Sequence, residues 1–297
     1  MEYTSVSFTI SSTPSLLQPA RELLADSAAS VGFDAFEDTD DGICGYVLKE
    51  SFDKEALDSV IADFPLDGVS ISYVAADAAD EDWNKTWEDN GFEPIIVDNK
   101  VIVYDSCHTS EDDLKKLHEQ YSDGIFTAIE AKLAFGTGTH ETTRMVISSL
   151  LAADVAGKDV LDCGCGTGIL SIVAGKLGAA SVVGYDIDEW SVNNAKHNAE
   201  LNGISCMQVY YGDAKVLNHI SGMFDIVVAN INRNILLNDM PSFREVMKMG
   251  SRLILSGFYT ADIPVIEEKA RSLGFHKTLT RTDNDWACVT FILDNQQ

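Results

Sequence analysis

The sequence predicts an α/β protein: a Rossmann-like, mostly parallel seven-stranded sheet, preceded by a smaller α+β domain of ferredoxin-like order. Three observations predict it. A short apolar strand end, Val160-Leu161, enters the run Asp162-Cys163-Gly164-Cys165-Gly166-Thr167-Gly168, after which Ile169 to Leu177 carries helical spacing of apolar residues. From Asp159 onward strand and helix patterns alternate, as a parallel sheet with right-handed crossovers requires. Residues 3–75 follow the order β-α-β-β-α-β. The expected organisation is a first domain over residues 1–75, a linker with a linker helix over 76–93, and a second domain over 94–297.

The elements follow from their periodicity. Val6, Phe8 and Ile10 alternate at period two, Ser15 to Ser30 is helical, and Phe33 to Glu37 and Ile43 to Leu48 are strands. A helix from Lys54 to Phe64 and a strand from Val69 to Val74 complete the first domain. The small acidic run Ala75 to Asp82 has neither apolar period nor turn chemistry and marks the boundary. Trp83 and Trp87 fall four apart, on one face of a helix, where they anchor either the core or a partner; core packing is the commoner use. Ile95 to Val97 and Val101 to Tyr104 flank Asp98-Asn99-Lys100 as a hairpin.

In the second domain the strands after the glycine run are Ser181 to Tyr185, Met207 to Tyr211, Phe224 to Ala229, Arg252 to Leu255, His276 to Thr280 and Cys288 to Leu293. Helices fit at Trp190 to Leu201, Ile235 to Met247 and Ala261 to Leu273, the last stopped by Gly274.

Composition excludes several classes. The chain has 297 residues, 45% apolar and 23% charged, as in globular proteins. No apolar run reaches membrane-span length, and residues 1–10 lack the pattern of a secretory signal, so the expected location is the cytoplasm. With 21 basic against 47 acidic residues, a net charge of -26, direct nucleic-acid binding is not expected. A basic protein suits this surface, although acidity serves solubility equally well. The six cysteines (Cys44, Cys107, Cys163, Cys165, Cys206 and Cys288) form no Cys-x-x-Cys pair, so neither a disulfide framework nor a metal site is expected.

The glycine run decides the ligand class. A dinucleotide fold places a third glycine where this chain has Ile169, so that a pyrophosphate can lie on the helix dipole. Here the spacing is Asp-x-Gly-x-Gly-x-Gly, with Asp162 at the strand end repelling a pyrophosphate and favouring a cation. S-adenosylmethionine carries an ammonium and a sulfonium, and the run resembles the first motif of class I methyltransferases. Asp186 ends the second strand twenty residues beyond Gly166, where a nucleotide fold places the carboxylate for a ribose diol. Asp188 is explained as the cap of the next helix. Asp213 reaches the adenine edge or is an exposed turn residue. Asn230 ends the fourth strand of the sheet, beside the transferable methyl, in Asn230-Ile231-Asn232-Arg233; this run lacks the prolines and aromatic that would stack a flat base and so points to an aliphatic amine. The loop Ala134-Phe135-Gly136-Thr137-Gly138-Thr139-His140, continuing into Glu141-Thr142-Thr143-Arg144, exceeds what a helix cap requires.

Taken in order, Ala-Phe-Gly-Thr-Gly-Thr-His-x-Thr-Thr, Leu-Asp-x-Gly-Cys-Gly-Thr-Gly-Ile-Leu, Gly-x-Asp-Ile-Asp, Asn-Ala-x-x-Asn-Gly, Val-Ala-Asn-Ile and Leu-Ser-Gly resemble the methyltransferases of large-subunit ribosomal protein eleven, the PrmA family. The resemblance covers Asp82 to the C-terminus, and residues 1–75 resemble that family's substrate-recognition domain by element order. It implies that Thr143, Gly164, Asp186 and Asn230 contact S-adenosylmethionine, with the glycine turn behind its methionine moiety; from the reading of the residues above, Asp162, Gly166, Gly168 and Asp213 are expected to complete the cofactor site and Asn230 to be catalytic. It implies N-methylation of lysine side chains and of the N-terminal amine of that ribosomal protein, met free of the ribosome. The alternative is a class I enzyme acting on another protein or a small amine. The chain departs from the family at Asn232-Arg233 and at Ile129-Glu130-Ala131-Lys132, both on the acceptor side.

Overall fold

The computed structural model describes residues 3–77, 91–130 and 141–294, except 30, 40, 50, 63, 65, 67 and 221. Its contacts divide the chain into two compact units, Met1–Trp83 and Asn84–Gln297. Trp83, Trp87 and the loop through His140 lie outside the described residues, as does most of the expected linker.

The first unit contains β1 (Tyr3–Ser11), α1 (Pro14–Ala29), β2 (Phe33–Thr39), β3 (Gly42–Leu48), α2 (Lys54–Ala62) and β4 (Ser70–Asp77). Its sheet has the order β2-β3-β1-β4 with every neighbour antiparallel, which is the ferredoxin-like arrangement. Alternation makes the core: Val6, Phe8 and Ile10 are buried with Leu24, Ile43, Val47 and Leu57, while Ser7 and Thr9 face out. Asp53 starts α2 by accepting from the backbone N–H groups of Glu55 and Ala56. The Arg21 side chain ties α1 to the turn between β2 and β3 through the carbonyls of Gly42 and Thr39. β4 runs on to Asp77, into the expected linker, because its alanines still pair with β1 (Ser5 with Ala76, Thr4 with Asp77).

The second unit opens on a hairpin, β5 (Ile95–Val97) and β6 (Val101–Asp105), whose turn residues Asp98 and Asn99 both have positive φ, as its tight turn requires. Next come α3 (Glu111–Gln120) and β7 (Ile125–Ile129), the latter parallel to β6. The sequence reading contains neither of these. No residue of α3 is fully buried, and only Leu114 and Leu117 mark its apolar side; Ser110, accepting from the N–H of Asp113, marks its start.

The main sheet comprises β8 (Asp159–Cys163), β9 (Ser181–Asp186), β10 (Met207–Tyr211), β11 (Phe224–Asn230), β12 (Met247–Tyr259), β13 (Phe275–Asp283) and β14 (Trp286–Leu293). Around it lie α4 (Glu141–Leu151), α5 (Ile169–Lys176), α6 (Glu189–Leu201), α7 (Arg233–Glu245) and α8 (Ile263–Ser272). The strand order is β10-β9-β8-β11-β12-β14-β13, parallel except that β14 opposes both of its neighbours. Both faces are covered: Val160, Val182 and Val228 pack on Ile147 and Ile172, while Leu161, Val227 and Leu255 pack on Leu236, Met240 and Ile266. The chain order reverses between β8 and β11, so a crevice opens at their C-terminal ends.

Several boundaries differ from the expectation. β12 is far longer than Arg252 to Leu255 because it keeps pairing with β14 as far as Tyr259, across a register shift at Gly257. Met247, expected at the end of a helix, opens that strand. The helix expected from Ala261 begins at Ile263, after a 3-10 turn over Thr260–Asp262.

Asn194 and Asn198 on α6 and Asn202 at its C-cap form a row that stands in for a strand beside β7. Asn202 accepts from the Ala128 N–H and donates to its carbonyl. Asn198, fully buried, accepts from the Glu130 N–H at 2.9 Å and donates to the carbonyls of Glu130 and Thr167. Asn198→Ala removes these three hydrogen bonds, while Asn194 keeps its own to the Glu130 carbonyl, and is expected to cost about 3 kcal/mol of stability. Urea unfolding checks it; an unmoved midpoint would contradict it.

Candidate active site

The crevice holds a cavity of about 690 Å³. Its floor is the glycine turn, where Gly164, Gly166 and Gly168 all have positive φ. The N–H groups of Gly164 and Cys165 both donate to the Tyr185 carbonyl, holding the turn against β9. Two glycines grip one residue: a Cβ on Gly164 would stand 2.5 Å from the Ile231 side chain, and one on Gly257 would stand 2.4 Å from the Ile231 carbonyl oxygen. Ile231 thus sits wedged between the turn and β12.

Asp186 reaches the cavity from the end of β9. Its Oδ2 accepts from Gly166 N–H at 2.9 Å and its Oδ1 from Asp188 N–H at 3.0 Å, which leaves further lone pairs for a diol. Asp188 caps α6 through the N–H and hydroxyl of Ser191. Asp213 also lines the cavity, but its carboxylate is already engaged by the backbone and the ammonium of Lys215, where it caps a 3-10 turn.

Thr143 and Asn230 meet across the cavity. Asn230 Nδ2 donates to Thr143 Oγ1 at 3.5 Å, while Asn230 Oδ1 is buried with no hydrogen-bond partner. Pairing to Thr143 turns the acceptor end of the amide away from the threonine and leaves it for a donor brought by a ligand.

Asp162 and Gly168 are not among the residues that line the cavity. Asp162 is 1% exposed behind the turn, its Oδ2 accepting from the N–H and hydroxyl of Ser171 and its Oδ1 without a donor. Gly168 faces α6, where a Cβ would come within 3.0 Å of Ala195. Trp286, which no local spacing could connect to the site, lines the cavity from β14 and packs on Tyr259 at 4.3 Å. Ile235 and Asp239 of α7 also line it, beside the buried face of that helix formed by Leu236, Met240 and Phe243. Cavity-facing carboxylates are Asp186, Asp213 and Asp239, and among the described residues no lysine or arginine joins them. Such a site fits a cationic ligand and opposes a pyrophosphate.

The model of the family described as Ribosomal protein L11 methyltransferase (PrmA) matches residues 24–293. The chain belongs to this family. A ribosomal protein L11 methyltransferase from Phocaeicola vulgatus is 42% identical over 99% of this chain and all of its own length. One from Porphyromonas gingivalis is 39% identical over 99% of both chains. The crystal structure of a ribosomal protein L11 methylase from Lactobacillus delbrueckii subsp. bulgaricus, 28% identical, aligns with a TM-score of 0.61 over 69% of this chain and all of that one. Membership makes the chain a class I methyltransferase with S-adenosylmethionine as methyl donor. The family match begins at residue 24 and so includes most of the first unit, where the sequence resemblance rested on element order.

In this L11 methyltransferase family member the Asp162 carboxyl is pushed up to about 6, first by burial and further by the Asp186 carboxylate, against the two hydrogen bonds from Ser171. A folded-state value above the unfolded one means that this group contributes stability which is complete below about pH 4 and lost as pH rises through about 6, a swing of about 3 kcal/mol. Unliganded Asp162→Asn protein is expected to lack this part of the decline. Urea midpoints across the window test it, and an identical pH slope in the two proteins would count against the assignment.

Proposed function

We propose that the chain transfers methyl groups from S-adenosylmethionine to lysine side chains and the N-terminal amine of ribosomal protein L11, met free of the ribosome in the cytoplasm. The observation that carries this reading is the buried, unpartnered Oδ1 of Asn230 at the edge of a carboxylate-lined cavity. The cofactor supplies an electrophilic methyl on a sulfonium. Gly164 and Gly166 support its methionine part with bare backbone, Asp186 holds the ribose, Asp213 borders the adenine, and Thr143 flanks the methyl. Asp162 acts from behind the turn as a counter-charge, and Gly168 lets α6 close on the turn.

The chain's own residues then prepare the amine. A lysine amine with its reference pKa of about 10.4 is protonated at neutral pH and has no lone pair to attack with. Desolvation between Trp286, Ile231 and Thr142 favours the neutral form, and Asn230 Oδ1 accepts one of its N–H groups so that the lone pair faces the methyl. Residues 1–75 serve substrate recognition and 94–297 the chemistry, joined through 76–93. The net charge of -26 draws in a basic protein rather than nucleic acid. Among the described residues no helix is long and apolar enough to cross a membrane.

Radiolabelled methyl transfer into purified L11, other ribosomal proteins, intact large subunits, free RNA and small amines tests the proposal. Label in free L11, at a rate that falls as salt rises, is expected. Label confined to small amines or another protein would replace it with the alternative acceptor.

A further inference from the structure

The turn joining β13 to β14 bears on the cavity from two directions, through α4 and through β14. Asp283 Oδ2 accepts from Arg144 Nη2 at 2.8 Å, and Asn284 Nδ2 donates to Glu141 Oε1 at 2.8 Å, so two successive turn residues hold the first turn of α4. That first turn carries Thr142 and Thr143, each 2% exposed and lining the cavity, with Thr143 accepting from Asn230. On the other side, Trp286 follows the turn directly and forms part of the cavity wall. The Asp285 carbonyl accepts from Thr260 N–H at 2.7 Å, fastening the end of β12 to the same turn. Deeper along α4, Arg281 donates to the Ser149 hydroxyl and the Ser148 carbonyl.

These ties are poorly suited to supplying stability. The Arg144–Asp283 pair is over a third exposed on both sides, and such pairs contribute at most about 1 kcal/mol. They are well suited to fixing position, because a displacement of about 1 Å at a reacting centre costs on the order of a hundredfold in rate. The turn is also remote from the cofactor side of the sheet: β8 and β9 carry the glycine turn and Asp186, while β14 and β13 lie at the opposite edge. Its influence therefore falls on Thr143 and Trp286, away from the glycine turn and Asp186.

We propose that Asp283 and Asn284 are positioning residues that align Thr143 through α4 and Trp286 through β14, at the place where methyl donor and acceptor meet, while the ribose and methionine contacts of the cofactor are made by Asp186 and the glycine turn. This rests on the reading of the cavity as a methyl-transfer site. The test compares the full chain with Asp283→Asn/Asn284→Gly, the glycine being chosen because Asn284 has a φ of 51° that glycine adopts without strain. The double variant is expected to melt within about 2 °C of the parent, bind S-adenosylmethionine within twofold, and methylate L11 with kcat/KM about tenfold lower. Asp283→Glu, which keeps the carboxylate, is expected to restore most of that loss. A kcat/KM within twofold of the parent overturns the proposal, as does cofactor affinity falling in step with the rate. The assay of the parent protein separates the two levels: no transfer to any amine by the parent overturns the site reading and the proposal with it, whereas normal transfer by both proteins overturns the proposal alone. A fluorine resonance of 5-fluorotryptophan at Trp286, assigned with Trp286→Phe, gives a readout independent of the acceptor. It is expected to shift in the double variant, and an unmoved line counts against the proposal.

Discussion

Asp186→Ala is expected to weaken S-adenosylmethionine binding by about a hundredfold or more while the protein stays folded. Hydrogen bonds to a charged carboxylate are worth about 1.5–3 kcal/mol each, and a ribose diol offers two. The same carboxylate receives Gly166 N–H and Asp188 N–H, so its removal also loosens the glycine turn on the cavity floor. Asp186→Asn is no remedy, because an amide nitrogen facing either N–H would repel it. Calorimetric titration decides the matter; a folded alanine variant with parental affinity would remove Asp186 from the site.

Asn230→Ala is expected to lower the single-turnover rate by a factor of about a hundred to a thousand, and to weaken binding of the protein substrate far less. Thr143 takes the Nδ2 end of the amide, so truncation removes the oriented acceptor and leaves the wall of the cavity in place. The parent rate is expected to climb with pH through neutrality, because the reactive species is the neutral amine. Asn230→Asp supplies a geometric equivalent with a negative charge, which favours the ammonium form. Its rate limb is expected at higher pH than the parent's. A flat profile in the parent, or an alanine variant defective only in binding, would show that Asn230 does not orient the amine.

Much of the candidate site was legible because its residues sit at strand ends in short windows. The glycines between β8 and α5, Asp186 at the end of β9 and Asn230 at the end of β11 each announce a local backbone need or a crevice position, and all but Gly168 reach the cavity lining. The ferredoxin-like order of the first unit was legible for the same reason, since β1 shows its alternation within nine residues. Asp162 illustrates the boundary. Its position at the end of a strand was visible, but β-strand side chains alternate faces, and only the packing of Ser171 against it shows the carboxyl buried behind the turn.

What the sequence by itself determined is the set of features encoded in contiguous chain: periodicity, positive-φ glycines, caps, and which side chains end which strands. Only the tertiary structure decided which distant elements share the cavity. Trp286 becomes part of the site because β14 inserts between β12 and β13, and Gly257 because a register shift in β12 lets the Ile231 peptide lie against it. The Asp283 and Asn284 contacts to α4 span about half the chain. The physical reason is that backbone conformation is governed by near neighbours, whereas strand order and the meeting of side chains are settled by burying both faces of the sheet at once, a condition that no local window contains.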